Sequence, residues 1–145
     1  MSSSNVYYIE RLTIGRYHES AQAAIALLRS GGVPKEIALW CGAADDLDLL
    51  HQFFHLFSIL YPGEMIQLLD FGHGWLSTGH VASLLGCVAN RVKLFSWTGY
   101  WTGKNMVGGV KPLMEALGQR MQLEELELSS IYFPNTHSQD YERFG

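Results

Sequence analysis

Apolar positions along this chain alternate between two kinds of spacing. Short extended runs, YYIERLTI (7–14), EIALW (36–40), IQLLDF (66–71), VKLFSW (92–97) and LEELEL (123–128), predict strands. Longer segments with helical periodicity separate them. In HESAQAAIALLRSGG (18–32), apolar residues recur at Ala21, Ala24, Ile25 and Leu28, and the glycine pair is a C-terminal cap signature. DDLDLLHQFFHLFSILYPG (45–63) opens on aspartates that suit an N-cap and stops at Pro62-Gly63. STGHVASLLGCVAN (77–90) and NMVGGVKPLMEALGQR (105–120) complete the set. Five strands and four helices in strict alternation predict an α/β domain with a parallel sheet.

The strand segments can be laid over one another. LEELELSSIYF (123–133) places Leu123, Leu126, Leu128 and Phe133 in the apolar slots of L-x-x-L-x-L-x-x-N/C-x-L. IQLLDFGHGWL (66–76) does so through Ile66, Leu69, Phe71 and Leu76, and VKLFSWTGYWT (92–102) through Val92, Phe95 and Trp97. IERLTIGRY (9–17) fits at Ile9, Leu12 and Ile14, and PKEIALWCG (34–42) only at Ile37 and Leu39. The units start at residues 9, 34, 66, 92 and 123, so the steps are 25, 32, 26 and 31 residues.

In this spacing the chain resembles a leucine-rich-repeat protein of the ribonuclease-inhibitor type, with degenerate repeats. The resemblance implies a short solenoid in which slots one, four and six point into the core. The residues between them then face solvent on the sheet. Each unit leaves its flanks bare, so neighbours must stack to cover them. The ninth slot, Asn or Cys in the family, holds Tyr17, Gly42, Gly74, Tyr100 and Ile131. None of these can build the asparagine ladder that ties neighbouring turns together. The same alternation also suits a compact, flavodoxin-like open sheet.

At 145 residues the chain fits a single domain spanning 1–145 that buries a core without staples. Hydrophobic residues at 48% and charged residues at 17% favour a globular protein over a disordered one. The net charge of −4 argues against a nucleic-acid partner, which needs a basic face. The opening MSSSNVYYIERL has neither a basic nor an apolar leader region, so no signal peptide is expected, and the apolar run 53–61 is too short to span a bilayer. Cys41 and Cys87 stand outside any CxxC pair and read as buried free thiols, which points to a cytoplasmic protein.

Several segments tempt a chemical reading. WTGYWTGK (97–104) suggests a phosphate loop, but three residues rather than four separate Gly99 from Gly103, and Asn105 replaces the magnesium-binding hydroxyl. HQFFH (51–55) puts two histidines on one helix face, yet Gln52 stands where a hydrolytic metal site needs a glutamate. The plainer reading is a helix with His51 and His55 on its exposed side. DFGHGW (70–75) lacks every other kinase element. Asp70, His73 and His80 form the best enzyme site available, at the carboxyl edge where open sheets bind ligands. No nucleophile with a placed base accompanies them. No catalytic, cofactor or metal residue is therefore assigned.

Under the repeat alignment the outward positions are more informative. The second-slot column reads Glu10, Lys35, Gln67, Lys93, Glu124; the third, Arg11, Glu36, Leu68, Leu94, Glu125; the fifth, Thr13, Ala38, Asp70, Ser96, Glu127. Three glutamates on the last strand are either a solvated edge or a landing strip for a basic partner. Leu68 and Leu94 discriminate between architectures. On an open sheet face they form an apolar patch of the kind that marks an interface; beneath helices they are ordinary core. Tyr100 and Trp101, on the turn leaving a strand, serve as partner contacts or as packing. The expectation is a non-enzymatic protein-binding module, such as an inhibitor or immunity-type protein, without nucleic acid or membrane partners. Asp70, His73, Trp75, Tyr100, Trp101, Glu124, Glu125 and Glu127 are the candidate contacts for a basic protein partner. The alternatives are a small-ligand or enzymatic α/β domain with its site at the strand carboxyl ends, and a module that works only inside a larger assembly.

Overall fold

The structure, a computed structural model, describes residues 5–15, 18–40, 47–74, 78–100, 115, 118 and 123–132. Strands β1 (Tyr7–Ile14), β2 (Gly32–Leu39), β3 (Ile66–Gly74), β4 (Val92–Tyr100) and β5 (Glu125–Tyr132) alternate with helices α1 (His18–Arg29), α2 (Leu47–Leu60) and α3 (Thr78–Gly86). A single 3-10 turn, Ala89–Arg91, leads into β4. Of the expected fourth helix, 105–120, only Glu115 and Gly118 are described, and both are helical.

The five strands form one parallel sheet in the order β1-β2-β3-β4-β5. Every strand pairs with its predecessor in the chain. Residues at equivalent positions of successive units are register partners. Leu12, Ile37, Leu69, Phe95 and Leu126 form one row, and Ile14, Leu39, Phe71, Trp97 and Leu128 another. Side chains alternate across a strand, so from β1 to β4 these rows share a face. On it, Ile37, Leu39, Leu69, Phe71, Phe95 and Trp97 are buried with Leu28 of α1, Phe53, Phe54 and Phe57 of α2 and Leu84 and Leu85 of α3. All three helices therefore cover the same side of the sheet. Phe54 meets Phe53 at 5.1 Å and Phe71 at 6.2 Å, and Phe71 meets Phe95 edge-on at 5.3 Å, so aromatic contacts run from helix to sheet.

Several boundaries differ from the sequence expectation, each for a local reason. Strand β2 starts at Gly32 rather than 36, because Gly31 makes the turn with φ 102° and its carbonyl accepts from Tyr7 N–H at 2.9 Å. Pro34, which the repeat pattern had not matched, is buried opposite Ile9. Strand β3 runs on through Phe71-Gly72-His73-Gly74, with an irregularity in register against β4 between Phe71 and Gly74. Strand β4 continues through Thr98-Gly99-Tyr100, so Tyr100 closes a strand instead of lying on the turn after it. Helices α2 and α3 are shorter than the segments 45–63 and 77–90, ending at Leu60 and Gly86. Strand β5 starts at Glu125, later than 123, and reaches Tyr132. Leu126, in an inward row, is 40% exposed on β5, the last of the described strands.

Neighbouring units are also tied at the carboxyl ends of their helices, where the last carbonyls lack intrahelical donors. Tyr61 Oη donates to Leu28 O of α1 at 2.6 Å. Arg91 Nη1 donates to Tyr61 O at 2.8 Å and to Ser58 O of α2 at 3.4 Å. Ser58 Oγ donates to Cys87 O, just past α3, at 2.8 Å. These three side chains link α1, α2 and α3 in sequence.

Candidate partner-binding face

Opposite the helices lies a face built from the third and fifth positions of each unit. Arg11, Glu36, Leu68, Leu94 and Glu125 are register partners across the sheet, and so are Thr13, Ala38, Asp70, Ser96 and Glu127. Arg11, Thr13, Glu125 and Glu127 are exposed; Leu68, Asp70, Leu94 and Ser96 are half-buried. That intermediate burial distinguishes Leu68 and Leu94 from the fully buried Leu69 and Phe95 beside them.

The face has two electrostatic halves. On the β1 side, Arg11 Nη1 donates to Glu36 Oε1 at 2.9 Å, and Nη2 lies 3.5 Å from Asp70 Oδ2. The guanidinium thus reaches from β1 across β2 to β3. Ala38 of β2 is fully buried although it belongs to the outward row between Thr13 and Asp70. On the β5 side, Glu124, Glu125 and Glu127 are exposed and form no salt bridge among the described residues. Glu124 N–H donates to Lys93 O at 2.7 Å, which holds the start of β5 against β4.

At the carboxyl end, the 44%-exposed Trp40 lies against Gly72, where an added Cβ would sit 3.6 Å from the indole and 3.3 Å from Leu39 O. Trp40 N–H donates to Ile14 O at 2.9 Å. At the amino end, Tyr8 Oη donates to Glu64 Oε2 at 2.9 Å beside a shallow cleft lined by Pro34, Lys35, Met65 and Gln67. The bond to the carboxylate, its charge and slight desolvation raise the phenol's pKa, in that order. A second cleft lies at the α1 carboxyl end, lined by Val6, Gly31 and Tyr61, and a third between Ile25 and Leu49 on the helices. None of these three reaches Asp70.

Among the sequence candidates, Asp70, Glu125 and Glu127 share the face opposite α1–α3, and Glu124 stands exposed just ahead of β5. Asp70 and Glu127 occupy one row with Ser96 between them. His73 and Tyr100 belong to the carboxyl ends of β3 and β4. Trp75 and Trp101 lie outside the described residues, as do Cys41 and the GK end of the 97–104 segment. Within that segment Trp97 is core, 1% exposed, and Thr98–Tyr100 are strand. Asp70 pairs with Arg11 on the open face, whereas His80 belongs to α3 on the opposite side of the sheet.

The two histidines of α2 part company. His55 is exposed, but His51 is half-buried, with Nε2 3.2 Å from Ser83 Oγ and Nδ1 3.9 Å from Cys87 Sγ. His51 therefore faces α3, contrary to the expectation that both would sit on the solvent side. Cys87 is only partly buried, and that burial pushes its thiol pKa up. Among the described residues no three His, Cys, Asp or Glu side chains gather to hold a metal ion, and no helix is long and apolar enough to cross a membrane.

Sequence reasoning missed Arg11 and Trp40. The signal for Trp40 was its place opposite Gly72 at the same position of the next unit, which leaves a large ring somewhere to lie. Comparison with known protein families, with curated proteins and with solved structures gives no match to this chain.

Proposed function

We propose that this chain is a non-enzymatic protein-binding module, built as a short leucine-rich-like solenoid that uses its open strand face to hold a partner protein. The observation that carries the reading is the Leu68–Leu94 pair, register neighbours left half-buried on a charged sheet face that none of α1–α3 covers. Apolar side chains that stay partly accessible within a charged rim are a feature of interaction surfaces. The β1-to-β5 strand order and the row-by-row register support the solenoid over a flavodoxin-like sheet. A doubly wound sheet reverses direction at one strand and binds ligands in the crevice there. Consecutive pairing of all five described strands supplies no such reversal.

An inhibitor or immunity-type protein that neutralises one cognate protein suits this build. It needs a rigid surface and no catalytic group. Site-specific photocrosslinking tests the reading. A benzophenone side chain is placed at position 94 on the open face or at position 52 on the exposed side of α2, and each protein is irradiated in native lysate. One stoichiometric protein adduct from position 94 and none from position 52 is the expected result. Equal adducts from both positions, or none from 94, would refute binding through this face.

A further inference from the structure

The charge layout of the open face specifies the chemistry of what docks there. Its two rows hold four acids (Glu36, Asp70, Glu125, Glu127) against one base (Arg11), so the face alone carries −3 of the chain's net −4. These charges are not spread evenly. Glu36 and Asp70 already share Arg11, at 2.9 and 3.5 Å. The acids without an ion pair among the described residues include all three on or just ahead of β5: Glu124, Glu125 and Glu127. Leu94 is the register partner of both Leu68 and Glu125, so the apolar pair abuts the acidic strand directly.

We infer that the open face takes a basic amphipathic protein segment, with an apolar side chain over Leu68 and Leu94 and a lysine or arginine over Glu125 and Glu127. This inference rests on the binding reading above and deepens it. Adjacent strands stand about 4.8 Å apart, so Leu94 to Glu125 is one spacing and Leu68 to Glu125 about 9.6 Å. A helix laid across the strands matches both distances. Residues four apart on one helix face lie about 6 Å from each other, and residues seven apart about 10.5 Å. The apolar contact supplies burial. The acids choose the orientation, because reversing the segment would bring its cation over the Arg11 side of the face.

The test uses the whole protein and three synthetic helical peptides. The first has leucines along one face and lysines four and seven positions after a central leucine. The second has the same composition in scrambled order. The third has glutamate in place of each lysine. Fluorescence anisotropy should give the first peptide at least tenfold tighter binding than the other two, weakening as salt rises. Amide shifts on titration should centre on Leu68, Leu94 and Glu125. The double variant E125Q/E127Q should weaken binding about tenfold, and L94Q, checked for folding by circular dichroism, should do likewise. E19Q/D48Q, which removes the same charge from the helices, should change nothing.

Equal binding of all three peptides, equal loss in E19Q/D48Q, or shifts confined to the helices would overturn the inference. A protein crosslinked through position 94 that binds E125Q/E127Q as well as wild type would also overturn it while leaving the binding reading intact. Failure of both the crosslink and the peptide would remove the two together.

Discussion

Arg11 occupies one outward position yet contacts two acids on two other strands. Its side chain is 41% exposed, and those of Glu36 and Asp70 are 33% and 26% exposed. Pairs at such exposure contribute roughly 0–1 kcal/mol and are screened by salt. R11A should therefore cost less than about 1 kcal/mol in urea denaturation, and less again in 1 M salt. A loss of several kcal/mol would mean that the triad organises the sheet and does not merely dress its surface. Cys87 and Tyr61 make the alkaline side informative. Burial raises the pKa of both, and the nearby Tyr7 phenol adds to the shift of Tyr61. Their ordinary values are 9.0 and 10.0. The unfolded chain ionises at those values while the folded chain resists, so these groups' contribution is whole below about pH 8.5 and is lost as pH climbs through 9 and 10. Thermal melts should show Tm falling above pH 9, and C87S should flatten the first part of the fall. Strand alternation accounts for the outward positions of Leu68 and Leu94, each one residue before a buried neighbour, Leu69 or Phe95. It could not reveal that Arg11 reaches past its neighbour or that His51 turns toward α3. Those outcomes depend on side-chain reach between units, which no periodicity records.

The centres of the five strands and of α1–α3 were legible, and their ends were not. Apolar spacing marks where an element must bury a face, but the last residues are decided by hydrogen bonds to the adjoining unit. Strand β2 gains four residues at its start because Gly31 completes the turn early, β3 extends by three by pairing onward to Gly74 with Gly99, and β4 by three by pairing onward to Tyr100 with Tyr132. The ties between helices were equally invisible in sequence. The ninth-slot residues rule out an asparagine ladder, yet Ser58, Tyr61 and Arg91 connect the helix ends instead. Tyr61→Phe removes one bond to a helix carbonyl and keeps the ring packed on Phe57 at 5.9 Å. A loss of about 1 kcal/mol is expected. Arg91→Met gives up a charged donor serving two carbonyls and should cost about 1.5–3 kcal/mol. Equilibrium denaturation of both variants and of the double variant would measure their coupling, since Arg91 binds the backbone of Tyr61 itself. Additive losses would mean that the two ties act separately; a double variant no worse than Arg91→Met would mean that they form one connected link.

At the scale of the molecule, the main contacts among the described elements run between neighbours along the chain: β1 with β2, β2 with β3, β3 with β4, β4 with β5, α1 with α2 and α2 with α3. The sheet order follows from the same consecutive pairing. A structure stabilised by nearest-neighbour interfaces is strongest where a unit has neighbours on both sides. Burial already shows the gradient. Strand β2 is buried at six of its eight positions, whereas β1, with the same length, is buried only at Ile14. The other sheet edge carries the 40%-exposed Leu126. Native-state hydrogen exchange should therefore give the slowest amides in β2, β3 and β4, with β1 and β5 opening at lower free energy. Mild denaturant should lower protection at the edges first, and L12A on β1 should speed exchange in β1 and β2 more than in β4. Uniform protection across all five strands, with L12A raising exchange equally everywhere, would instead mark a single cooperative unit. It would weigh against the solenoid, because there each interface can loosen without the ones beyond it.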